Sequence, residues 1–351
     1  MLIEAVFRHL GFAVVLALVS AVVVRLMIAY PILDHPNARS SHVRPTPRGG
    51  GVGVVVAFVV GMVVLYFGAA FARLPPLQFG GVIGAAVAIA LVSLWDDVAD
   101  LRFSVKLGAQ ALAALVAIGS GLVVERLAVP WVGEVPLGWL GVPLTLFWIV
   151  GCTNALNFMD GLDGLVGGSV FLAAVMLCVV AGGQGGWFVY AAALLLAAGL
   201  AGFLPFNLHP ARIFMGDVGS QFLGFMMAVL AVAAAGFDAA SVSFLIVPLL
   251  LFGLLFDAAF TLVRRAAMGR RVAAAHRTHL YQMAQRSGLG VRAVAGVHWG
   301  FVLVHGALVA LFLELPSGLK PLVVLPALAV QAVWLAYVLQ RMRRAGLTWA
   351  E

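Results

Sequence analysis

Eleven stretches of this chain are apolar for long enough to cross a bilayer as helix, and that recurrence constrains its fold more than any other feature. A crossing needs roughly 17–25 consecutive apolar residues. The predicted spans cover 10–33, 49–71, 78–95, 104–124, 137–158, 165–182, 186–206, 218–236, 240–263, 294–314 and 320–340. Each is continuously apolar rather than alternating, so helices are expected and not a barrel. A hydrophobic share of 64% with only 10% charged residues excludes an ordinary soluble domain, in which roughly 25% are charged. The 40 glycines suit close approach of helices in lipid. The expected fold is an all-α, polytopic membrane helix bundle, with residues 1–351 forming one membrane domain.

Lys and Arg collect on the cytoplasmic side of membrane proteins. With eleven spans, one face receives segments 34–48, 96–106, 159–164, 207–217, 264–292 and the tail after 340. These hold 16 of the 21 Lys and Arg, whereas the other face holds only Arg8, Arg73, Arg126 and Lys320. The amino end is therefore expected outside and the carboxyl end in the cytoplasm. The net charge of +7 follows from this asymmetry and from attraction to anionic headgroups or substrates, and calls for no nucleic acid. Cys152 and Cys178 fall inside predicted spans, so no disulfide framework is implied. The first apolar run lacks a convincing cleavage site and reads as a retained first helix.

Acidic residues are scarce, 14 in all, and six gather in or beside three short runs between spans. Asp96-Asp97 follows Trp95, with Asp100 three residues on. Asn154-Ala-Leu-Asn157-Phe-Met-Asp160-Gly-Leu-Asp163 comes next, and Phe214-Met-Gly-Asp217 is the third. A carboxylate beside the hydrocarbon is costly and usually functional. All three runs fall on the predicted cytoplasmic face. So do Arg44-Pro-Thr-Pro-Arg48-Gly-Gly-Gly and His276-Arg277-Thr278-His279, while the outer loops carry acids without clustering.

Adjacent helical side chains point about 100° apart, so Asp96 and Asp97 bracket one ion only near a helix end. Helix capping by these acids is the competing explanation. Positions 154, 157, 160 and 163 make a strict i, i+3 series, with Gly161 and Gly164 to break the helix. Their amide and carboxylate oxygens suit a hard cation or a base edge, against a polar helix–helix contact as the alternative. Asp217 is expected at a helix amino terminus, where the dipole favours a carboxylate. Phe214 either stacks on a base or packs. Lys106 serves as a phosphate contact or a positive-inside anchor. His276 and His279 lack the further ligands zinc requires, and a basic cradle for a diphosphate suits the segment better. Glycines 49, 50, 51 and 53 signal close approach of backbone to phosphate or to a neighbouring helix. Asp257 falls in the ninth span with no partner apparent in the sequence.

Taken in order, HVRPTPRGGG, WDDVADL, NALNFMDGLDGL, RIFMGDVGS and AHRTHLYQ resemble the polyprenyl-phosphate N-acetylhexosamine-1-phosphate transferases over about residues 34–285. The resemblance implies transfer of an N-acetylhexosamine-1-phosphate from a UDP-sugar to undecaprenyl phosphate, with release of UMP, at the cytoplasmic side of a bacterial inner membrane. It implies Mg²⁺, replaceable by Mn²⁺, at Asp217 with Asn157 as a second ligand. It also implies catalysis by Asp96 and Asp97, and a uracil site at Gly161, Leu162, Asp163 and Phe214. Donor contacts are implied at Lys106, His276, Arg277 and His279, with Asn154, Asp160, Arg44 and Arg48 as further substrate-binding candidates. The histidine motif reads HRTH, not the triple histidine of the pentapeptide translocase nor the HxHH of many relatives. It looks most like enzymes that initiate O-antigen or similar lipopolysaccharide glycans, some using 6-deoxy amino sugars. Expected partners are a UDP-N-acetylhexosamine, undecaprenyl phosphate, membrane lipid and, as an oligomer, a second copy in a homodimer. The competing class is a cation-coupled transporter. Transporter acids usually lie near the midplane between repeats, whereas these lie at helix ends.

Overall fold

The computed structural model describes residues 2–34, 45–68, 74–236, 242–271 and 276–349. It is an all-helical bundle with two short antiparallel strand pairs. Helix α1 (Leu2–Ala29) leads through β1 (Ile32–Asp34) and β2 (Thr46–Arg48) to α2 (Gly51–Gly68). Then come α3 (Pro76–Ala99), α4 (Phe103–Gly119), and the hairpin β3 (Arg126–Val129) and β4 (Gly133–Pro136). The series α5 (Gly141–Met159), α6 (Leu165–Gln184), α7 (Trp187–Asn207) and α8 (Asp217–Gly236) follows. The chain closes with α9 (Ile246–Leu250), α10 (Phe252–Ala267), α11 (Leu280–Arg286), α12 (Val291–Glu314) and α13 (Val324–Arg344).

Among the described residues, nine helices are long and apolar enough to cross a membrane: α1, α2, α3, α5, α6, α7, α8, α12 and the helix ending at Arg344. They answer to nine of the eleven predicted spans. The span predicted at 104–124 is the shorter apolar helix α4, which ends at Gly119. The span predicted at 240–263 is divided at Leu251 between α9 and α10, and Pro248, which has no N–H to donate, lies in α9.

Helix α8 is the axis of the bundle: 94% of its apolar window is buried, as expected for a helix that is hydrophobic all round. It packs against α2, α3, α5 and α7. Glycine makes the tightest of these contacts. A Cβ added at Gly51 in α2 would lie 2.2 Å from the Gly219 Cα of α8, and one at Gly224 would lie 2.7 Å from the Thr153 Cα of α5. The glycine run after Arg48 therefore serves helix and backbone packing. Gly50 N donates to the Phe214 carbonyl at 2.9 Å and Gly51 N to that of Met215 at 2.9 Å. Helices α3, α5 and α7 end, and α2, α4 and α8 begin, at one end of the bundle, where β1 and β2 also lie.

Candidate functional site

At that end a cavity of ≈270 Å³ opens. Its wall includes Asp97, Asn157, Asp160, Gly161, Leu162 and Asp163, and also Phe214, Asp217, Arg48 and Arg277. Residues from five separate sequence motifs thus meet around one space. Arg44 lies outside the described residues.

Asp217 is the first residue of α8, as the sequence suggested. The acid that caps this helix comes from elsewhere. Asp97, near the end of α3 and only 2% exposed, accepts from Asp217 N through Oδ1 at 3.0 Å and from Val218 N through Oδ2 at 3.1 Å. One carboxylate so satisfies two amides that a helix start otherwise leaves unpaired. Arg48 Nη2 donates to the Asp97 carbonyl, and its Nη1 lies 4.0 Å from Asp97 Oδ1. Close approach is possible because Gly216, at φ 76°, carries no Cβ; one placed there would lie 2.6 Å from Asp97 Oδ2.

Asp96 and Lys106 sit behind the cavity wall rather than in it. Lys106 Nζ donates to Asp96 Oδ2 at 2.8 Å and to Asp217 Oδ2 at 3.3 Å. Asp96 Oδ1 accepts from Leu101 N at 2.7 Å. The lysine thereby ties the first acidic run to the third, across 111 positions of sequence.

The i, i+3 series divides. Asn154 donates to Gln110 in α4 and to the Val150 carbonyl, away from the cavity wall. Asn157 donates to Ser220 Oγ at 3.0 Å. Helix α5 stops at Met159, so Asp160 and Asp163 lie in the turn before α6, which Gly164 enters at φ 71°. Burial, and after it the negative charges of Asp217, Asp97 and Asp163, pushes the Asp160 carboxyl up to about 8. Asp163 Oδ2 accepts from His209 Nδ1 at 2.7 Å and from Ala211 N at 3.1 Å, which pins the loop leading to Phe214. Asn207 clamps the same loop, accepting from Gly164 N at 3.0 Å and donating to the Ile213 carbonyl at 3.0 Å.

The HRTH segment presents Arg277, and neither histidine, to the cavity wall. His279 is buried, with Nδ1 3.2 Å from Asp257 Oδ1, and its ring stacks between those of His276 and Tyr281 at 4.9 and 5.7 Å. Asp257 also accepts from Leu280 N and Tyr281 N, each at 2.9 Å. The acid that had no partner in the sequence therefore holds the start of α11. Asp34, Asn207, Ser220, Gln282 and Gln285 line the cavity too and were missed. Only Ser220, three residues after Asp217, and the Gln282/Gln285 pair at i, i+3 carried a periodic signal.

Among the described residues no three His, Cys, Asp or Glu stand together as a ready metal site. The donors present are nonetheless hard oxygens and amides, in a cavity with more acids than bases. Mg²⁺ commonly takes one or two carboxylates and completes its shell with water and substrate phosphate. Asp217 with Asn157 fits that pattern.

Residues 79–235 match the model of glycosyl transferase family 4. The chain is 30% identical over 298 residues to a probable undecaprenyl-phosphate N-acetylglucosaminyl 1-phosphate transferase of Bacillus subtilis, covering 83% of this chain and 81% of the relative. It is 33% identical over 310 residues to a decaprenyl-phosphate N-acetylglucosaminephosphotransferase of Mycobacterium tuberculosis, covering 79% and 75%. It is also 33% identical over 244 residues to a phospho-N-acetylmuramoyl-pentapeptide-transferase of Moorella thermoacetica, covering 61% and 74%.

Proposed function

The chain belongs to the polyprenyl-phosphate N-acetylhexosamine-1-phosphate transferase family, and on that premise we propose that it moves an N-acetylhexosamine-1-phosphate from a UDP-sugar to undecaprenyl phosphate. UMP is the leaving group. The observation that carries this reading is the meeting of Asp97, Asp160, Asp217, Arg48, Arg277 and Phe214 around one cavity at one end of the bundle. That is the end to which the basic residues assign the cytoplasm of a bacterial inner membrane, where UDP-sugars are made.

The chemistry is transfer between two anions. A lipid phosphate has a second pKa near 6 by analogy with phosphoserine, so at pH 7 its oxygen is mostly a ready nucleophile. It attacks the phosphorus next to the sugar; the bond to the UMP oxygen breaks as the new P–O bond forms, and no proton need move. The aspartates suit this direct course. Both oxygens of Asp97 are engaged by α8 amides and both oxygens of Asp96 by Leu101 N and Lys106, so neither stands as an uncommitted base. Arg48 and Arg277 offer planar donors to the diphosphate, and Phe214 with Gly161, Leu162 and Asp163 frames the base. Mg²⁺ held by Asp217 and Asn157 would supply charge neutralisation on the diphosphate.

Two of the relatives above are named for N-acetylglucosamine, which favours UDP-N-acetylglucosamine as donor and a cell-envelope glycan as product. A role in O-antigen initiation with a 6-deoxy amino sugar is the narrower alternative. Purified protein is to be incubated with undecaprenyl phosphate, Mg²⁺ and a panel of UDP-sugars, and UMP measured. Release with one or two N-acetylhexosamine donors is expected. No UMP from any donor, with ion-driven solute flux in proteoliposomes instead, would replace the transferase by a transporter. Labelled sugar-phosphate trapped on the protein without acceptor would overturn direct attack.

A further inference from the structure

A carboxylate only accepts hydrogen bonds, whereas an amide side chain does both. Gln221, one turn beyond Asp217 in α8, therefore meets it with its NH₂: Nε2 donates to Asp217 Oδ2 at 3.0 Å. That choice turns Gln221 Oε1 toward α4, where Gln110 Nε2 donates to it at 2.9 Å. Gln110 in turn offers Oε1 to α5, and Asn154 Nδ2 donates to it. Three amides on three helices run in one direction, donor end toward Asp217. Both glutamines are 3% exposed, and none of the three amides lines the cavity. Buried amides in an apolar bundle are tolerated when fully paired, yet helix packing alone asks for none here; leucine would fill the volume of Gln110 without a polar group.

We propose that Gln221, Gln110 and Asn154 are positioning residues, a one-way amide relay that fixes the rotamer of Asp217 so that its carboxylate is preset for a divalent cation. The relay rests on the reading of Asp217 as the cation ligand and adds a role for residues that never touch substrate. Its neutral donors differ from Lys106 in one respect. They hold Asp217 Oδ2 without a full positive charge to compete with the cation. Groups that orient a metal ligand from behind typically change metal affinity by roughly 10–100-fold when removed.

The test uses Mn²⁺ alone as the probe, titrated by electron paramagnetic resonance into the full chain in detergent, with melting followed in parallel. Gln110→Leu, which leaves the cavity wall untouched, is expected to weaken Mn²⁺ binding about tenfold. Gln110→Glu keeps the shape and adds a negative charge. Coulomb attraction by itself would tighten binding; the relay demands the reverse, because a carboxylate at 110 donates nothing to Gln221 and pulls its NH₂ away from Asp217. Weaker binding in both variants at unchanged melting supports the relay. Binding within twofold of the parent in Gln110→Leu, or tighter binding in Gln110→Glu, overturns it. Asp217→Asn keeps the two failures apart. If that variant binds Mn²⁺ as the parent does, or the parent binds none, the cation reading of Asp217 falls and the relay with it. If Asp217→Asn loses binding while Gln110→Leu keeps it, only the relay falls.

Discussion

Asp97→Asn separates a structural from a chemical use of the aspartate pair. The Asp97 carboxylate receives two backbone N–H bonds at 3.0 and 3.1 Å, at the start of the helix that forms the axis of the bundle. A hydrogen bond to a charged group contributes about 1.5–3 kcal/mol. A partly buried charge at a helix terminus adds up to roughly 2 kcal/mol. Asparagine keeps one acceptor and turns an NH₂ against the other N–H, so it forfeits one bond and the charge, on the order of 3 kcal/mol. Alanine forfeits both bonds, roughly 3–6 kcal/mol before any dipole contribution. Asp96 holds a single backbone N–H, that of Leu101, and asparagine retains an oxygen for it; the Lys106 ammonium that loses its partner at Oδ2 is part-exposed and keeps Asp217, which lessens that loss. The expected order of stability is parent, then Asp96→Asn, Asp97→Asn and Asp97→Ala. It is to be read from SDS unfolding titrations of the solubilised full chain by tryptophan fluorescence, with UMP release assayed on the same samples. An Asp97→Asn protein as stable as the parent, whatever its activity, would refute the capping argument and return Asp97 to a purely chemical role.

Gly216→Ala should destabilise the same helix start, because residue 216 sits at φ 76° and the new Cβ would meet Asp97 Oδ2 at 2.6 Å. A Gly216→Ala protein that melts with the parent would contradict this. Asp160 should impose a pH slope on stability. Its carboxyl lies at about 8 in the folded chain against 3.8 ordinarily, so between those values the folded state holds a proton the unfolded state has lost. Stability from this group therefore falls as pH rises toward 8. Asp160→Asn should flatten that slope in melting curves taken across pH 5–8. Lys106→Met removes the ammonium that already occupies Asp217 Oδ2. It should tighten Mn²⁺ binding several-fold while turnover drops, and weaker Mn²⁺ binding would count against Lys106 and the cation sharing that oxygen.

Much of the architecture is written in local sequence, because the cost of placing polar groups in hydrocarbon is a property of each consecutive segment. That cost marks the helices and predicts that acids and bases gather at one end of the bundle. The sequence also places Asp217 at a helix start, but it leaves the glycine run to phosphate or to a neighbouring helix, which only the contact of Gly51 with Gly219 decides. The interrupted segment at 240–263 was harder to read, since its composition is apolar on both sides of Leu251 and the break is a matter of backbone geometry.

Which partner each polar group takes was decided only in three dimensions. Asp97 caps a helix that begins 120 positions later, Asp257 turns out to hold α11, and His279 faces Asp257 rather than the cavity. Gln110 and Gln221, 111 positions apart in the sequence, join Asn154 to Asp217. The physical reason is rotational. Hydropathy says that a helix crosses the membrane, but the face it turns to its neighbours depends on close contacts such as Gly51 against Gly219. A difference of one residue in that packing turns a side chain by about 100°, from cavity to helix interior.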